Sequence, residues 1–199
     1  MSLQTVKAIV TFLSDVEFEK DPVMVCWHAG EPLTMPISFY EQAFEIFASG
    51  PKRVRQSIQT NGTLINDDWC HLFKDWDVTI GLSIDGPKPV HDAQRVDRSG
   101  RGTFERVTRG IEKLHEHGVY FSVITVLTST SLEAADELWN FYKSAWIPYV
   151  GFNIDEIEGV NKRSTLTGSE HLQELRRFMS RIAELQAQDP SVEIGRAHV

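Results

Sequence analysis

The chain has 199 residues, of which 41% are hydrophobic and 24% are charged, so it is long enough to bury one hydrophobic core. Its net charge of −8 comes from 28 acidic and 20 basic side chains without any basic block, which argues against nucleic acid as a partner. No apolar stretch approaches the roughly 20 residues of a membrane-spanning helix, and residues 1–14 lack the layout of a signal peptide, so we expect a cytoplasmic protein without membrane contacts.

Helical and strand-like patterns alternate along the sequence. Apolar residues at helical spacing predict helices over 3–14, 37–48, a segment capped by Asn66, a segment from Thr103 to Gly118, 131–145 and 170–188. Apolar and β-branched runs predict strands over 22–27, 54–60, 78–84, 119–127 and 149–154. A long loop is predicted at 85–102, and no element is predicted after residue 188. Because each short crossover returns the chain to the same edge of a sheet, we expect parallel strands and the α/β class.

Glycine and polar residues gather where the predicted strands end. The segment GEP at 30–32 follows the first strand, TNG at 60–62 comes at the end of the second, and SIDGP at 83–87 closes the third. The carboxyl ends of parallel strands form one face of the sheet, and ligands bind at that face in α/β proteins. The sequence therefore predicts a ligand site built from these loops.

The side chains at this face suit a small zwitterion that carries a sugar. Gly30 lets a ligand approach the main chain, and carbonyl groups beside the Glu31 carboxylate suit a ligand ammonium group. Asn61 and Ser83 offer an amide and a hydroxyl to sugar hydroxyls or a carboxylate, and Arg95 offers a fork for a carboxylate. Another interpretation stays open, in which TNGT and SIDGP are turns and nothing more.

Several segments together resemble the radical S-adenosylmethionine (radical SAM) enzymes. WHAGEPL at 27–33 resembles their Gly-Gly-Glu-Pro motif, and IQTNGTLI at 58–65 resembles their next motif. GLSIDGPKPVHDAQRVDRSGRGTFERV at 81–107 is similar to the branch that carries a SPASM region, which includes anaerobic sulfatase-maturating enzymes and peptide maturases. GFNIDEIEGVN at 151–161 is similar to maturases that install cyclic cross-links in ribosomal peptides. The resemblance covers about residues 3–185.

This resemblance implies a partial (β/α)6 TIM-like barrel with outer helices that binds S-adenosylmethionine. Motif matching gives Gly30, Glu31 and Pro32 the role of holding the methionine ammonium group. It places Thr60 and Asn61 in the lining of the same pocket.

The same matching gives Ser83 and Arg95 contacts with the carboxylate or the ribose of that ligand. In the family, a 4Fe-4S cluster reductively cleaves the sulfonium, and the resulting 5'-deoxyadenosyl radical abstracts hydrogen from a substrate side chain. The resemblance thus implies an oxidoreductase whose partner is a ribosomally made peptide or a protein. Asp155 and Glu156, after the fifth strand, are the candidates for binding substrate or taking a proton.

The sequence departs from the family pattern in two places. Ala29 replaces the first glycine of the Gly-Gly pair, and we expect a negative φ there, where a Cβ does no harm. The CxxxCxxC loop that binds the cluster, and the strand before it, have no counterpart, because Cys26 and Cys70 form no such pattern and no metal ligand is predicted. We interpret residues 1–188 as an incomplete radical SAM core domain that lacks its first strand, and residues 189–199 as a tail truncated before the SPASM region.

We therefore expect the chain to be inactive by itself and to self-associate through the exposed edge of strand 22–27. Other functions stay open. One is a sulfatase-maturating, formylglycine-generating enzyme or an arylsulfatase-regulator homologue. Another is a non-catalytic module that binds a nucleotide or a peptide, and a third is an unrelated barrel enzyme that uses His28, Glu31 and Asp85 with a divalent metal.

Overall fold

The computed structural model of the chain describes residues 1–18, 22–155, 164–166 and 169–196. The helices are α1 Leu3–Ser14, α2 Ile37–Ala48, α3 Asp67–Asp75, α4 Lys88–Gln94, α5 Phe104–Glu116, α6 Ser129–Leu132, α7 Ala135–Ser144 and α8 Ser169–Gln188, with a 3-10 turn at Pro32–Thr34. The strands are β1 Val23–Trp27, β2 Val54–Thr60, β3 Thr79–Ser83, β4 Phe121–Leu127, β5 Tyr149–Ile154 and β6 Glu193–Arg196.

The strands form one sheet in the order β1-β2-β3-β4-β5-β6. Strand β1 pairs with β2, β4 with β5, and β5 with β6, in each case in parallel. The α/β class with parallel strands is therefore confirmed. No helix among the described residues is long and apolar enough to cross a membrane.

Two helix starts follow directly from side-chain caps. The Ser2 hydroxyl accepts a hydrogen bond from the Thr5 N–H at 3.2 Å at the start of α1. The Asn66 side-chain oxygen accepts one from the Trp69 N–H at 3.0 Å at the start of α3. Each cap satisfies a backbone donor that has no partner within its helix, and such a cap contributes about 1 kcal/mol. Both starts were expected from the sequence.

Three expectations about the elements are wrong. The expected loop at 85–102 contains α4, which begins after Pro87 and carries Pro89 in its first turn, where the missing N–H costs nothing. The expected helix at 131–145 is replaced by α6 and α7, because Thr128 and Ser131 form a capping box that starts a helix early. The segment after residue 188 contains β6, which pairs with β5.

The chain divides into two compact units, Met1–Gly81 with Arg109–Tyr120, and Leu82–Thr108 with Phe121–Val199. In the first unit the Trp27 ring packs edge-on against Tyr40 at 5.2 Å and Phe44 at 6.1 Å, and its indole N–H donates to buried Gln56 at 2.8 Å. Aromatic edge contacts of this kind fix side chains in one arrangement. This packing holds the last residue of β1 rigidly against α2.

In the second unit the fully buried Tyr142 hydroxyl lies 2.9 Å from the Thr125 hydroxyl of β4. Thr125 donates to the Ile84 carbonyl at 2.7 Å, so the buried polar groups satisfy one another. The chain after β3 is thereby anchored to β4.

Candidate functional site

The chain turns sharply after β1, in residues 28–32, which we call the β1 turn. Ala29 has a φ of 73° and Gly30 a φ of 68°. The expectation of a negative φ at Ala29 is therefore wrong, because two successive residues adopt the left-handed conformation that favours glycine. A Cβ placed on Gly30 meets no atom within 4 Å, so the space above this residue is open.

The Glu31 carboxylate ties the β1 turn to the end of β2. Its Oε1 accepts hydrogen bonds from the Thr60 hydroxyl at 2.6 Å and the Leu33 N–H at 3.0 Å, and its Oε2 accepts one from the Asn61 N–H at 2.8 Å. Three of the predicted site residues, Glu31, Thr60 and Asn61, are thus brought together. A carboxylate has about four acceptor positions, so roughly one remains for another donor.

The carbonyl groups of the β1 turn differ in their partners. The Pro32 carbonyl accepts the Tyr40 hydroxyl at 3.0 Å. Burial and the Glu31 charge raise the pKa of Tyr40 to about 12, so the hydroxyl stays protonated and continues to donate. Ala29 and Gly30 are exposed residues, and within the part of the chain that the structure describes no hydrogen bond reaches their carbonyls. These carbonyls and the Glu31 carboxylate suit an ammonium group.

The segment after β2 forms a tight turn as well as holding Glu31. The Asn61 side-chain oxygen accepts hydrogen bonds from the Thr63 N–H at 3.0 Å and the Thr63 hydroxyl at 2.7 Å. The Thr60 hydroxyl accepts the Gly62 N–H at 3.0 Å while it donates to Glu31. The same residues therefore form the turn and hold Glu31, so the turn interpretation and the site interpretation are compatible. Contact of Thr60 and Asn61 with a ligand stays a prediction.

In the second unit, Asp85 is a buried partner of Arg95. Asp85 is 2% exposed, and its carboxylate accepts Arg95 Nε at 2.6 Å and Arg95 Nη2 at 3.1 Å. It also accepts the Val126 N–H of β4 at 3.0 Å. The interpretation of Asp85 as only a turn residue is incomplete, since this carboxylate fixes the orientation of a predicted ligand-binding guanidinium.

His91 supports the same pair and was missed in the sequence. Its ring is 0% exposed, and Nδ1 accepts the Asp85 N–H at 3.3 Å, which assigns the proton to Nε2. Nε2 lies 2.9 Å from the Thr103 hydroxyl, which donates to the Arg95 carbonyl at 3.1 Å. Burial lowers the pKa of His91 to about 4 against the opposing effect of the Asp85 charge, so the ring is neutral near pH 7.

No pattern in the sequence singles out the Asp85–Arg95 pair. Asp85 and Arg95 flank a segment with prolines at 87 and 89, which reads as loop, and a charged pair across a loop is not distinguishable from two solvated side chains. Only the helical conformation of α4 shows that the nine intervening residues bring Asp85 and Arg95 together.

The remaining site candidates are Ser83, Asp155 and Glu156. Ser83 is the last residue of β3 and is half-buried. The Asp155 carboxylate accepts the Thr165 N–H at 2.8 Å, and the Asp155 N–H donates to the Leu127 carbonyl at 2.9 Å, so this residue links residue 165 to the end of β4. Glu156 lies outside the described residues. Catalytic roles for Asp155 and Glu156 stay predictions.

The described part of the chain contains no cluster of side chains that could bind a metal ion. Among the residues 1–18, 22–155, 164–166 and 169–196, no three or more His, Cys, Asp or Glu side chains are grouped so that they could hold a metal ion. Cys26 is exposed on β1 and Cys70 is buried in α3. These two thiols do not fit a 4Fe-4S cluster, which needs several converging cysteines.

The sequence matches the radical SAM superfamily over residues 3–157. The chain therefore belongs to the radical SAM superfamily. It is 41% identical over 192 residues to an uncharacterized protein of Synechocystis sp., covering 93% of this chain and 48% of that protein. It is 38% identical over 133 residues to a serine-type anaerobic sulfatase-maturating enzyme of Bacteroides thetaiotaomicron, covering 65% of this chain and 32% of that enzyme. The chain thus spans about half or less of the length of these relatives.

Solved structures show the same fold. Native anSMEcpe with bound AdoMet and Kp18Cys peptide matches with a TM-score of 0.82 at 22% identity, over 96% of this chain and 54% of that chain. SuiB of Streptococcus suis bound to S-adenosylmethionine matches with a TM-score of 0.70 at 17% identity, over 100% of this chain and 44% of that chain. The expected TIM-like radical SAM barrel fold is confirmed.

Proposed function

We propose that the chain is part of a radical SAM enzyme that modifies a peptide or protein, and that the β1 turn binds the methionine ammonium group of S-adenosylmethionine. The observation that carries this proposal is the Glu31 carboxylate, held by Thr60 at 2.6 Å and Asn61 at 2.8 Å in the same turn as the exposed residues Ala29 and Gly30. Membership of the superfamily supports it.

The residues present fit the methionine end of this ligand. Glu31 supplies negative charge and the Ala29 and Gly30 carbonyls supply acceptors, which together match a positively charged donor. The absence of a Cβ at Gly30 keeps the space above the turn open to a ligand. In the second unit, Ser83 and Arg95 offer a hydroxyl and a guanidinium, which match the ligand carboxylate. When bound, S-adenosylmethionine would supply a reducible sulfonium.

We propose further that these 199 residues alone do not hold the cluster that cleaves this sulfonium. Cys26 and Cys70 are the only cysteines in the sequence, and neither lies in a CxxxCxxC pattern. Without cluster thiolates there is no route for the electron that reductive cleavage needs.

A peptide or protein substrate is the second part of the proposal. The sulfatase-maturating relatives and the peptide-bound anSMEcpe structure support a polypeptide as the molecule that is modified. Sulfatase maturation is the particular reaction that the 38% identity over 133 residues to a serine-type anaerobic sulfatase-maturating enzyme favours.

Calorimetry with two ligands tests the role of the β1 turn. The Glu31→Gln variant keeps the shape of the side chain but loses its charge, so we expect S-adenosylmethionine to bind about tenfold more weakly. The ligand 5'-methylthioadenosine lacks the amino acid end and should bind both proteins equally. Glu45→Gln, on the exposed face of α2, is the matched control and should change neither affinity. Equal binding of S-adenosylmethionine by Glu31→Gln and the unsubstituted chain would refute the proposal.

We also propose that the chain self-associates through β1. In the described sheet β1 is paired only with β2, so one edge of its backbone is open. Met24 is 52% exposed on this strand, and Cys26 is exposed beside it. An open, apolar strand edge is a template for pairing with a second chain.

A further inference from the structure

We infer that Asp85 and His91 are positioning residues that hold the Arg95 guanidinium in one orientation for the methionine carboxylate of S-adenosylmethionine. The residues that carry this inference are Asp85, His91, Arg95 and Thr103, which we call the Asp85 network. The inference rests on the proposed function, because it concerns the second charged group of the same ligand.

The side-chain end of Arg95 is fixed by two parallel hydrogen bonds. Asp85 accepts Nε at 2.6 Å and Nη2 at 3.1 Å, which uses two of the five N–H groups of the guanidinium. A bidentate carboxylate fixes the guanidinium plane as well as its position. The Arg95 side chain remains 28% exposed while the Asp85 side chain is 2% exposed, so Arg95 is the member of the pair that solvent or a ligand can reach.

Asp85 is itself held in place by two elements. Its Oδ1 accepts the Val126 N–H of β4 at 3.0 Å, and its own N–H donates to His91 of α4 at 3.3 Å. A buried carboxylate is tolerated only when it is paired and hydrogen-bonded. Asp85 therefore acts as a rigid anchor from which Arg95 extends.

The backbone end of Arg95 is fixed through His91 and Thr103. The neutral His91 ring donates from Nε2 to the Thr103 hydroxyl at 2.9 Å, and that hydroxyl donates to the Arg95 carbonyl at 3.1 Å. The Thr103 N–H also donates to the Arg95 carbonyl at 3.1 Å. Both ends of Arg95 are therefore ordered when the protein folds, and less freedom is lost when a carboxylate binds.

A second acid–arginine pair, at the surface, has no such buried support. Arg181 binds Asp136 at 3.1 and 2.7 Å in the same bidentate manner, but both side chains are largely exposed, at 42% and 60%. Such a surface pair contributes little. The Asp85 network instead buries the acid and adds a buried histidine, which is what an oriented binding group requires.

Binding measurements on matched variants test the inference. In Asp85→Asn the bidentate pair is lost, and we expect S-adenosylmethionine to bind about tenfold more weakly, whereas 5'-methylthioadenosine, which has no carboxylate, should bind as before. Asp136→Asn makes the same chemical change at the surface pair and should alter neither affinity. Thr103→Val keeps the Asp85–Arg95 pair and removes only the hydroxyl link, so a smaller loss of about threefold is expected for S-adenosylmethionine alone.

Arg95 can also be observed directly. In the unsubstituted chain the Arg95 Nε–H should give a single, ordered NMR signal, and in Asp85→Asn this signal should broaden or move toward that of a free arginine. If Asp85→Asn does not fold, the affinities of Thr103→Val for S-adenosylmethionine and 5'-methylthioadenosine test the inference instead.

Three results would overturn the inference. If folded Asp85→Asn and Thr103→Val bind S-adenosylmethionine as the unsubstituted chain does, while Glu31→Gln still binds it more weakly, this inference is wrong and the proposed function stands. Equal losses for both ligands would show that the network has a general structural role. Absence of binding by the unsubstituted chain would overturn the proposed function and this inference together.

Discussion

Ala29 occupies a backbone conformation that a glycine would occupy at lower cost. Its φ of 73° places the Cβ close to the following carbonyl, which costs about 1 kcal/mol or more. We predict that Ala29→Gly raises the free energy of unfolding by about 1 kcal/mol, measured by urea denaturation. Ala8→Gly, at an exposed position within α1, is the control and should lower it by about 1 kcal/mol. A loss of stability in Ala29→Gly similar to that control would contradict the strain argument.

His91 makes stability depend on pH. Burial lowers its pKa from 6.5 to about 4, an effect that Arg95 and Lys88 reinforce and that Asp85 and Asp92 oppose. The unfolded chain binds a proton more readily than the folded chain between these values. The contribution of His91 to the free energy of unfolding is therefore fully present above about pH 6.5 and is lost as the pH falls toward 4, by at most about 3 kcal/mol.

Urea unfolding from pH 4 to 8 checks this prediction. Between pH 4 and 6.5 the free energy of unfolding should change less with pH in His91→Gln than in the unsubstituted chain, although that variant is less stable throughout. His71→Gln, at an exposed position in α3, should keep the slope of the unsubstituted chain. The same slope in all three proteins would show that other groups cause the pH dependence.

The proximity of Glu31, Thr60 and Asn61 was predictable because residues that follow neighbouring parallel strands meet at one end of the sheet. The φ of Ala29 was not, since alanine is common at ordinary φ values and the sequence shows the residue type alone. The burial of Asp85 was not predictable either, because its partners come from α4 and β4.

At the scale of elements, the helices with polar caps and the longer strands were predictable from local pattern. The starts of α1 and α3 were found because Ser2 and Asn66 are common capping residues. Helix α4 was missed because Pro87 at its N-cap and Pro89 in its first turn resemble loop residues when the helix start is unknown. Strand β6 has four residues and no apolar run, so it is defined by its pairing with β5.

Strand β1 carries a prediction about association. If its open edge pairs with a second chain, a charge on this strand should oppose the pairing, as lysines do on natural edge strands. We predict that the unsubstituted chain sediments as a dimer or larger species and that Met24→Lys shifts it toward the monomer. Met179→Lys, which adds the same charge at an exposed site on α8, should leave the distribution unchanged. Monomeric behaviour of the unsubstituted chain would contradict this prediction.

At the scale of the whole molecule, family and fold were predictable because the motifs at 27–33, 58–65 and 81–107 occur in the expected order at strand ends. The catalytic activity of these 199 residues could not be predicted from these motifs. The chain spans about half the length of the Synechocystis relative, and the two cysteines do not form the family's cluster motif.

We predict that the 199-residue chain, after anaerobic reconstitution with iron and sulfide, retains far fewer than the four irons of a cluster and releases no 5'-deoxyadenosine. Iron analysis and chromatography of the products measure this directly. The control is Cys26→Ser, which removes the exposed thiol and should bind the same small amount of iron. Stoichiometric iron in the unsubstituted chain, lost in Cys26→Ser, would contradict the prediction.

The central claim is that the β1 turn receives the methionine end of S-adenosylmethionine. The most direct measurement is an amide NMR titration of the chain with S-adenosylmethionine and, separately, with 5'-methylthioadenosine. We predict that the amide signals of Ala29, Gly30 and Asn61 shift with the first ligand and shift much less with the second. Equal shifts with both ligands, or shifts that leave these three residues unchanged, would contradict it.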